Sequence, residues 1–207
     1  FWALRELRAK FKIKTAPAVV VPSGNMGNLT AGLLAKKMGL PVARFIAATN
    51  INKVVPTYLR SGKYVPRKSQ KTISNAMDVG NPSNFARMLE IYHHDFRLMS
   101  REMEGASIND QTTRKTIKEI YQKTGYLLDP HTAVGVAAAM RYGLAKPTIV
   151  LATAHPAKFA EVVEPVVGRK LIIPRQFRRA LKKTKKSIII KNDLKALKRV
   201  LFKNATV

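Results

Sequence analysis

Three short apolar runs punctuate the chain: APAVVVP at 16–22, ARFIAAT at 43–49 and PTIVLAT at 147–153. Each is apolar with little polar alternation, the pattern of a strand buried on both faces. Between them, apolar positions recur at helical spacing. Helices are predicted over 28–38, closed by Gly39 and Pro41, and over 53–60. Further helices start near Phe85, span 110–123 with Gly125 as the stop, enter at Pro130 in an Ala-rich stretch, and cover 156–163. The first strand, helix and second strand form a βαβ unit, which implies parallel strands and a right-handed crossover.

Three stretches lie outside this alternation. Residues 1–10 read as a short helix carrying Arg5, Arg8 and Lys10. Residues 61–84 are rich in Gly, Pro, Ser and Asn, a long irregular segment that is either functional or disordered. Near the end, SIIIK at 187–191 predicts a strand and 192–203 a helix capped by Asn192 or Asp193. On that helix Leu194, Leu197, Val200 and Leu201 share one face. Lys195, Lys198, Arg199 and Lys203 take the other, with Phe202 among them.

At 207 residues and 46% hydrophobic, the chain has enough apolar surface for a real core. No run approaches the ~18 apolar residues of a bilayer span, and the first residues lack a secretory pattern. The chain opens with Phe1 rather than Met, so an upstream segment is expected to have been removed or left out. Without cysteine there are no disulfides or thiolate metal sites, and no metal site is predicted.

Charge changes the picture. The chain has 38 Lys and Arg against 12 Asp and Glu, a formal net charge of +26. Residues 168–207 hold 14 of these bases and one acid, Asp193. A surplus on this scale points to a polyanionic partner, RNA ahead of an anionic membrane surface. The densest contact is expected at Arg169, Lys170, Arg175, Arg178, Arg179, Lys182, Lys183, Lys185 and Lys186. The basic face of the last helix (Lys195, Lys198, Arg199, Lys203) would continue it.

A different chemistry is written at 21–39, VPSGNMGNLTAGLLAKKMG. Small residues between a strand and a helix let backbone N–H groups and the positive helix end approach a phosphate. This block, SNAMDVGNPSNFAR at 74–87, TGYLLDPHTAVG at 124–135 and ATAHPAKF at 152–159 together resemble threonine synthase. That family comprises pyridoxal-phosphate enzymes of the tryptophan-synthase-β fold type. The resemblance runs from about Pro17 to Val166 and implies an α/β fold, a partial three-layer parallel sheet. A basic strand–helix extension would follow it. It divides the chain into a basic segment 1–16, an α/β domain 17–167 and the extension 168–207. By the same resemblance, Ser23, Gly24, Asn25, Met26, Gly27 and Asn28 hold the cofactor phosphate, and Thr153 sits beside the pyridine nitrogen. Asn75, Asp78 and Asn84 would flank the substrate. His131 and His155 lie in family motifs in which they either act or orient loops.

Two departures shape the expectation. The family's Schiff-base lysine lies in an FKD-like segment well before the phosphate loop, and nothing like it occurs here. Lys158 matches a different family lysine, and Met26 replaces the usual Phe. The sequence therefore predicts no enzyme activity and no cofactor. It predicts a threonine-synthase-derived structural subunit of a ribonucleoprotein, in the setting of a mitochondrial ribosome, bound to rRNA and neighbouring ribosomal proteins. The alternative is a threonine synthase fragment that uses pyridoxal phosphate and O-phosphohomoserine once its N-terminal half is supplied. A third reading is a phosphate- or cofactor-binding module without catalysis.

Overall fold

The computed structural model describes residues 1–143 and 147–203, with all their side chains except those of Leu181 and Lys203. It divides into two compact units, Phe1–Leu171 and a second beginning at Ile172. The first unit is an α/β fold on a four-stranded parallel sheet of order β3-β2-β1-β4. Its strands are β1 (Ala18–Pro22), β2 (Arg44–Thr49), β3 (Met103–Ser107) and β4 (Thr148–Val150). β1 pairs with β2 from Ala18 opposite Arg44, and with β4 from Ala18 opposite Thr148. β2 pairs with β3 from Phe45 opposite Met103.

Alternation along the strands feeds two cores. Val21, Phe45, Ala47 and Met103 face one side. There they meet Leu29 and Leu33 of α2 (Gly27–Lys37), Val55 and Tyr58 of α3 (Val54–Ser61), Met88 of α4 (Phe85–Ile91) and Met99 of α5 (Phe96–Glu102). Val20, Ile46 and Ala48 face the other side, against Val134, Ala137 and Ala138. Those three belong to α7 (Pro130–Arg141). A third cluster joins Ile117 of α6 (Asp110–Thr124), Ala133 of α7 and Val163 of α8 (Ala160–Val167). The unit opens with α1 (Trp2–Phe11). Helices thus cover both faces, which is why the strands need no polar side.

β3 was not predicted. Its sequence, MEGAS, has no β-branched residue and a glycine at its centre, so local propensity argues against a strand. It forms because β2 offers it a complete parallel ladder and Met103 and Ala106 bury themselves in the cores. Residues 62–84 are irregular, as expected of the 61–84 stretch apart from Ser61, which ends α3, with one 3-10 turn at Asn75–Met77. They are ordered by hydrogen bonds described below. The predicted helix over 156–163 begins as a 3-10 turn, Pro156–Phe159, before α8.

The second unit carries α9 (Arg175–Leu181) and α10 (Leu194–Lys203). The strand expected at 187–191 does not form: those residues are irregular and Ile189 is almost fully exposed. Three isoleucines give β propensity, but a strand also needs a partner ladder, and none pairs with them among the described residues. α10 starts as predicted, with Asp193 Oδ1 accepting the Ala196 N–H at 2.7 Å. Among the described residues no helix is long and apolar enough to cross a membrane.

Candidate functional site

In an open parallel sheet, ligands bind beyond the carboxyl ends of the strands, where the strand order reverses. Here the order runs outward from β1 through β2 to β3 on one side and places β4 on the other. The reversal point therefore lies between β1 and β4. The segment that leaves β1 is 23–28, and the segment that leaves β4 contains Thr153. The topology brings together, at one sheet edge, the two stretches that sequence reasoning named separately.

The residues of 23–28 play different parts. Ser23 is buried, and its N–H donates to the Ala48 carbonyl at 3.0 Å. It extends the β1–β2 ladder, so that N–H is not free for a phosphate, contrary to the expectation. Gly24 is buried against the 3-10 turn: a Cβ there would lie 2.6 Å from Met77 Cα. Met26 caps α2 in the left-handed region, φ 59°, with its side chain sunk in the core at 1% exposure. Only its backbone can serve a ligand, which also makes the Phe-to-Met difference a packing change. Asn25, Gly27 and Asn28 are exposed. The first N–H groups of an α-helix have no intrahelical acceptor, and the first turn of α2 holds no acid. An anion arriving here meets unopposed donors and the positive end of an eleven-residue helix.

Two braces hold this loop. On one side Asn25 Oδ1 accepts the Ser83 N–H at 2.6 Å and the Ser83 hydroxyl at 3.0 Å. Asn84 Nδ2 donates to the Asn25 carbonyl at 2.9 Å. On the other side the 75–77 turn is anchored from α7. His131 Nε2 accepts the Ala76 N–H at 3.2 Å, so the ring proton sits on Nδ1 and points to Asp129 Oδ1, 3.1 Å away. Asp129 caps α7 through the His131 and Thr132 N–H groups and also accepts the Thr132 hydroxyl. Burial works to raise the Asp129 carboxyl, but hydrogen bonds from His131 and Thr132 outweigh it and hold it below the usual carboxylate range. His155 caps the 3-10 turn at Pro156 by accepting the Ala157 N–H at 3.1 Å. Both histidines therefore orient loops.

The residues expected beside the substrate divide similarly. Asn75 is exposed on the turn. Asp78 turns inward, accepting from Asn50 Nδ2 at 2.8 Å, the Thr72 hydroxyl at 2.7 Å and the Thr72 N–H at 3.0 Å. Asn84 is engaged with Asn25. Asn50 and Asn52, both buried at the end of β2, were missed by sequence reasoning. Asn52 exchanges hydrogen bonds with the Gln70 backbone, and with Asp78 these two order the irregular segment. The readable signal was two asparagines, spaced i and i+2, directly after a buried strand.

The basic positions are scattered in role. Arg169 donates to the Tyr121 hydroxyl at 3.0 Å, and Lys170 pairs with Glu164 at 2.9 Å. Arg175, Arg178 and Arg179 lie on α9, and Lys195, Lys198 and Arg199 on α10. Lys182, Lys183, Lys185 and Lys186 are exposed in the connection, and the Lys203 side chain lies outside the described residues. No cluster of three metal-ligating side chains occurs among the described residues.

Comparison with known proteins gives a consistent answer. Residues 2–153 match the family described as "Pyridoxal-phosphate dependent enzyme", and residues 132–201 match "Threonine synthase, C-terminal". The chain is similar to threonine synthase of Escherichia coli (strain K12), 46% identical over 164 residues, covering 76% of this chain and 37% of that protein. The crystal structure of the E. coli protein superposes with a TM-score of 0.76 at 42% identity, over 90% of this chain and 44% of that one. A structure described as PLP-bound threonine synthase from Brucella melitensis superposes with a TM-score of 0.84 at 29% identity, over all of this chain and 50% of that one. The chain thus spans half the length or less of these relatives.

These matches overturn the ribonucleoprotein reading. A ribosomal, mitochondrial and RNA-binding identity finds no counterpart among the relatives, which are named as enzymes, and the expectation of a non-enzyme falls with it. So does the basis for expecting no cofactor, since the family is pyridoxal-phosphate dependent. Most of the basic tail lies inside the match to the C-terminal threonine synthase domain, so it needs no separate RNA-binding origin. Net charge speaks to solubility and to steering of partners; it does not identify a fold. The lysine missing from 207 residues is no mark of decay in a chain that spans 37% of a relative. The chain belongs to the pyridoxal-phosphate dependent enzyme family and carries its C-terminal threonine synthase domain.

Proposed function

We propose that this chain is the cofactor-phosphate-binding part of a threonine synthase, active on O-phosphohomoserine when joined to the N-terminal half that its relatives possess. The observation that carries this reading is the convergence of 23–28 and Thr153 at the reversal point of the sheet. The residues present fit pyridoxal phosphate. An exposed helix start without acids suits its phosphate, and the exposed Thr153 hydroxyl suits a neutral ring nitrogen. When bound, that cofactor supplies an electron sink for carbanion chemistry.

The chain's own contribution is binding and orientation. The backbone N–H groups of Gly24, Asn25, Gly27 and Asn28, with the start of α2, would hold the phosphate and so fix one end of the cofactor. Thr153 Oγ1 would donate a hydrogen bond, without transferring its proton, to the ring nitrogen and so leave the ring uncharged. Asp129 and His131 act on neither; they keep the 75–77 turn against Gly24.

Reconstitution tests this reading. The 207-residue chain is combined with the N-terminal half of the E. coli threonine synthase, and phosphate release from O-phosphohomoserine is followed with pyridoxal phosphate present. Turnover is expected from the pair and none from the chain alone. Failure of the pair, under conditions where the two halves of the E. coli enzyme work together, would contradict it.

A further inference from the structure

The cofactor reading leaves unused a pocket of about 520 Å³ beyond the carboxyl end of β2, between the start of α3 and the irregular segment 63–80. That volume is in the usual range for small-molecule sites. Its lining includes Lys53, Lys63, Arg67 and Lys68 and no acid. Among the described residues none of these four enters an ion pair. In a chain of this charge, cations alone mean little, so the contrast with other concavities matters. The pocket at the β3 edge contains Glu104, the one by α8 contains Glu161 and Glu164, and the one on α10 contains Asp193.

The backbone that carries these cations is held in place. Tyr64 stacks on Phe85 at 3.8 Å between ring centres, and its hydroxyl donates to Asn81. The Arg67 N–H donates to the Gly80 carbonyl at 2.9 Å, and a Cβ at Gly80 would fall 1.7 Å from the Arg67 carbonyl oxygen. Gln70 is held at both backbone polar groups by Asn52. Fixing this backbone before a ligand arrives removes part of the ordering cost of binding. Beside the charges, the lining also includes two partly exposed apolar residues, Ile51 and Val65.

We propose that this pocket is a second ligand site, for a small organic molecule carrying two or more phosphate groups. A single phosphoryl group brings about −1.5 to −2 charges and would leave four cations half neutralised; two groups match them. The apolar residues account for a carbon skeleton rather than a bare inorganic anion. The start of α3, which has no side-chain cap and no acid in its first turn, adds to the positive potential.

Calorimetric titration of the 207-residue chain with ADP tests the proposal. Inorganic phosphate and pyridoxal phosphate serve as competitors. One ADP per chain is expected. Binding should weaken by roughly tenfold or more in the Lys63→Gln/Arg67→Gln variant, which removes two charge-assisted contacts. It should be nearly unchanged in a variant with Lys182, Lys183, Lys185 and Lys186 all replaced by Gln, although that removes twice the charge. Circular dichroism identical to wild type verifies that both variants fold. Several ADP per chain, an equal or larger loss in the four-lysine variant, or displacement by inorganic phosphate at equal concentration would overturn the proposal. Displacement by pyridoxal phosphate would overturn it too, by assigning ADP to the loop after β1.

Discussion

Replacing Gly24 with alanine is expected to lower both the stability of the chain and the rate of phosphate release in the reconstituted enzyme. The new Cβ would sit 2.6 Å from Met77 Cα and 3.0 Å from its carbonyl carbon and oxygen. These are backbone atoms, so no side chain can swing away. Either the 75–77 turn retreats or the phosphate loop does. Overpacking of this kind costs about 1–3 kcal/mol. Displacing a binding loop by about 1 Å can cost on the order of a hundredfold in rate. In the reconstituted enzyme, phosphate release should fall by about that factor, and urea denaturation should report the stability loss. Gly27→Ala is the control for stability: its Cβ would meet only Asn84 Nδ2, at 3.6 Å. Equal stability of the Gly24 and Gly27 variants would show that the turn yields more easily than its packing implies.

Asp129→Ala should be the most destabilising change near the site. The carboxylate is 1% exposed and accepts from two N–H groups, the Thr132 hydroxyl and His131 Nδ1. Losing the helix cap costs about 0.5–2 kcal/mol. Leaving buried donors unpaired costs about 1–3 kcal/mol more. A total near 2–4 kcal/mol is expected at neutral pH, read by chemical denaturation. The carboxyl is held below its ordinary range in the folded chain, so its contribution is complete above that range. It is lost as pH falls through the depressed folded-state value. The gap between wild type and variant should therefore narrow in acid; a gap constant down to strongly acidic pH would contradict the assignment. The same variant frees the His131 ring and with it the anchor of Ala76, so phosphate release in the reconstituted enzyme should fall as well.

How much of this could be read in advance differs from element to element. β1 and β2 were legible because a strand buried on both faces leaves a run of apolar residues with no polar alternation; β4 left a similar run although it is a short, half-buried edge strand. α2 and α7 were legible from their ends, at Gly39 and at Pro130. β3 was not, because MEGAS becomes a strand only beside β2. The isoleucines at 188–190 misled for the converse reason: propensity was present and a partner ladder was not. In the site, the phosphate loop was visible as small residues between a strand and a helix. The division of labour inside it was not. Nothing local indicates that the Ser23 N–H is consumed by Ala48, that Met26 turns into the core, or that Asp78 faces Asn50 and Thr72. Those facts depend on contacts between residues more than twenty positions apart, apart from the short reach between Thr72 and Asp78.

The misreading of function had one physical source. A large positive surplus was taken as the mark of a polyanion, and an absent lysine as the mark of a dead enzyme. Both inferences gave decisive weight to properties of a partial chain, although a missing upstream segment was already expected. The matches cover more than half of this chain and less than half of the E. coli relative, so neither property measures the intact enzyme.

The central claim is that the loop after β1 holds the cofactor phosphate. It is tested most directly by following the backbone amide resonances of the isotope-labelled chain, paired with an unlabelled N-terminal half, as pyridoxal phosphate is added. The account predicts that the largest shifts fall on Gly24, Asn25, Gly27 and Asn28, with a smaller change at Thr153. Shifts concentrated instead around Lys53, Lys63 and Arg67, or along the basic residues of α9 and α10, with the loop unmoved, would contradict it.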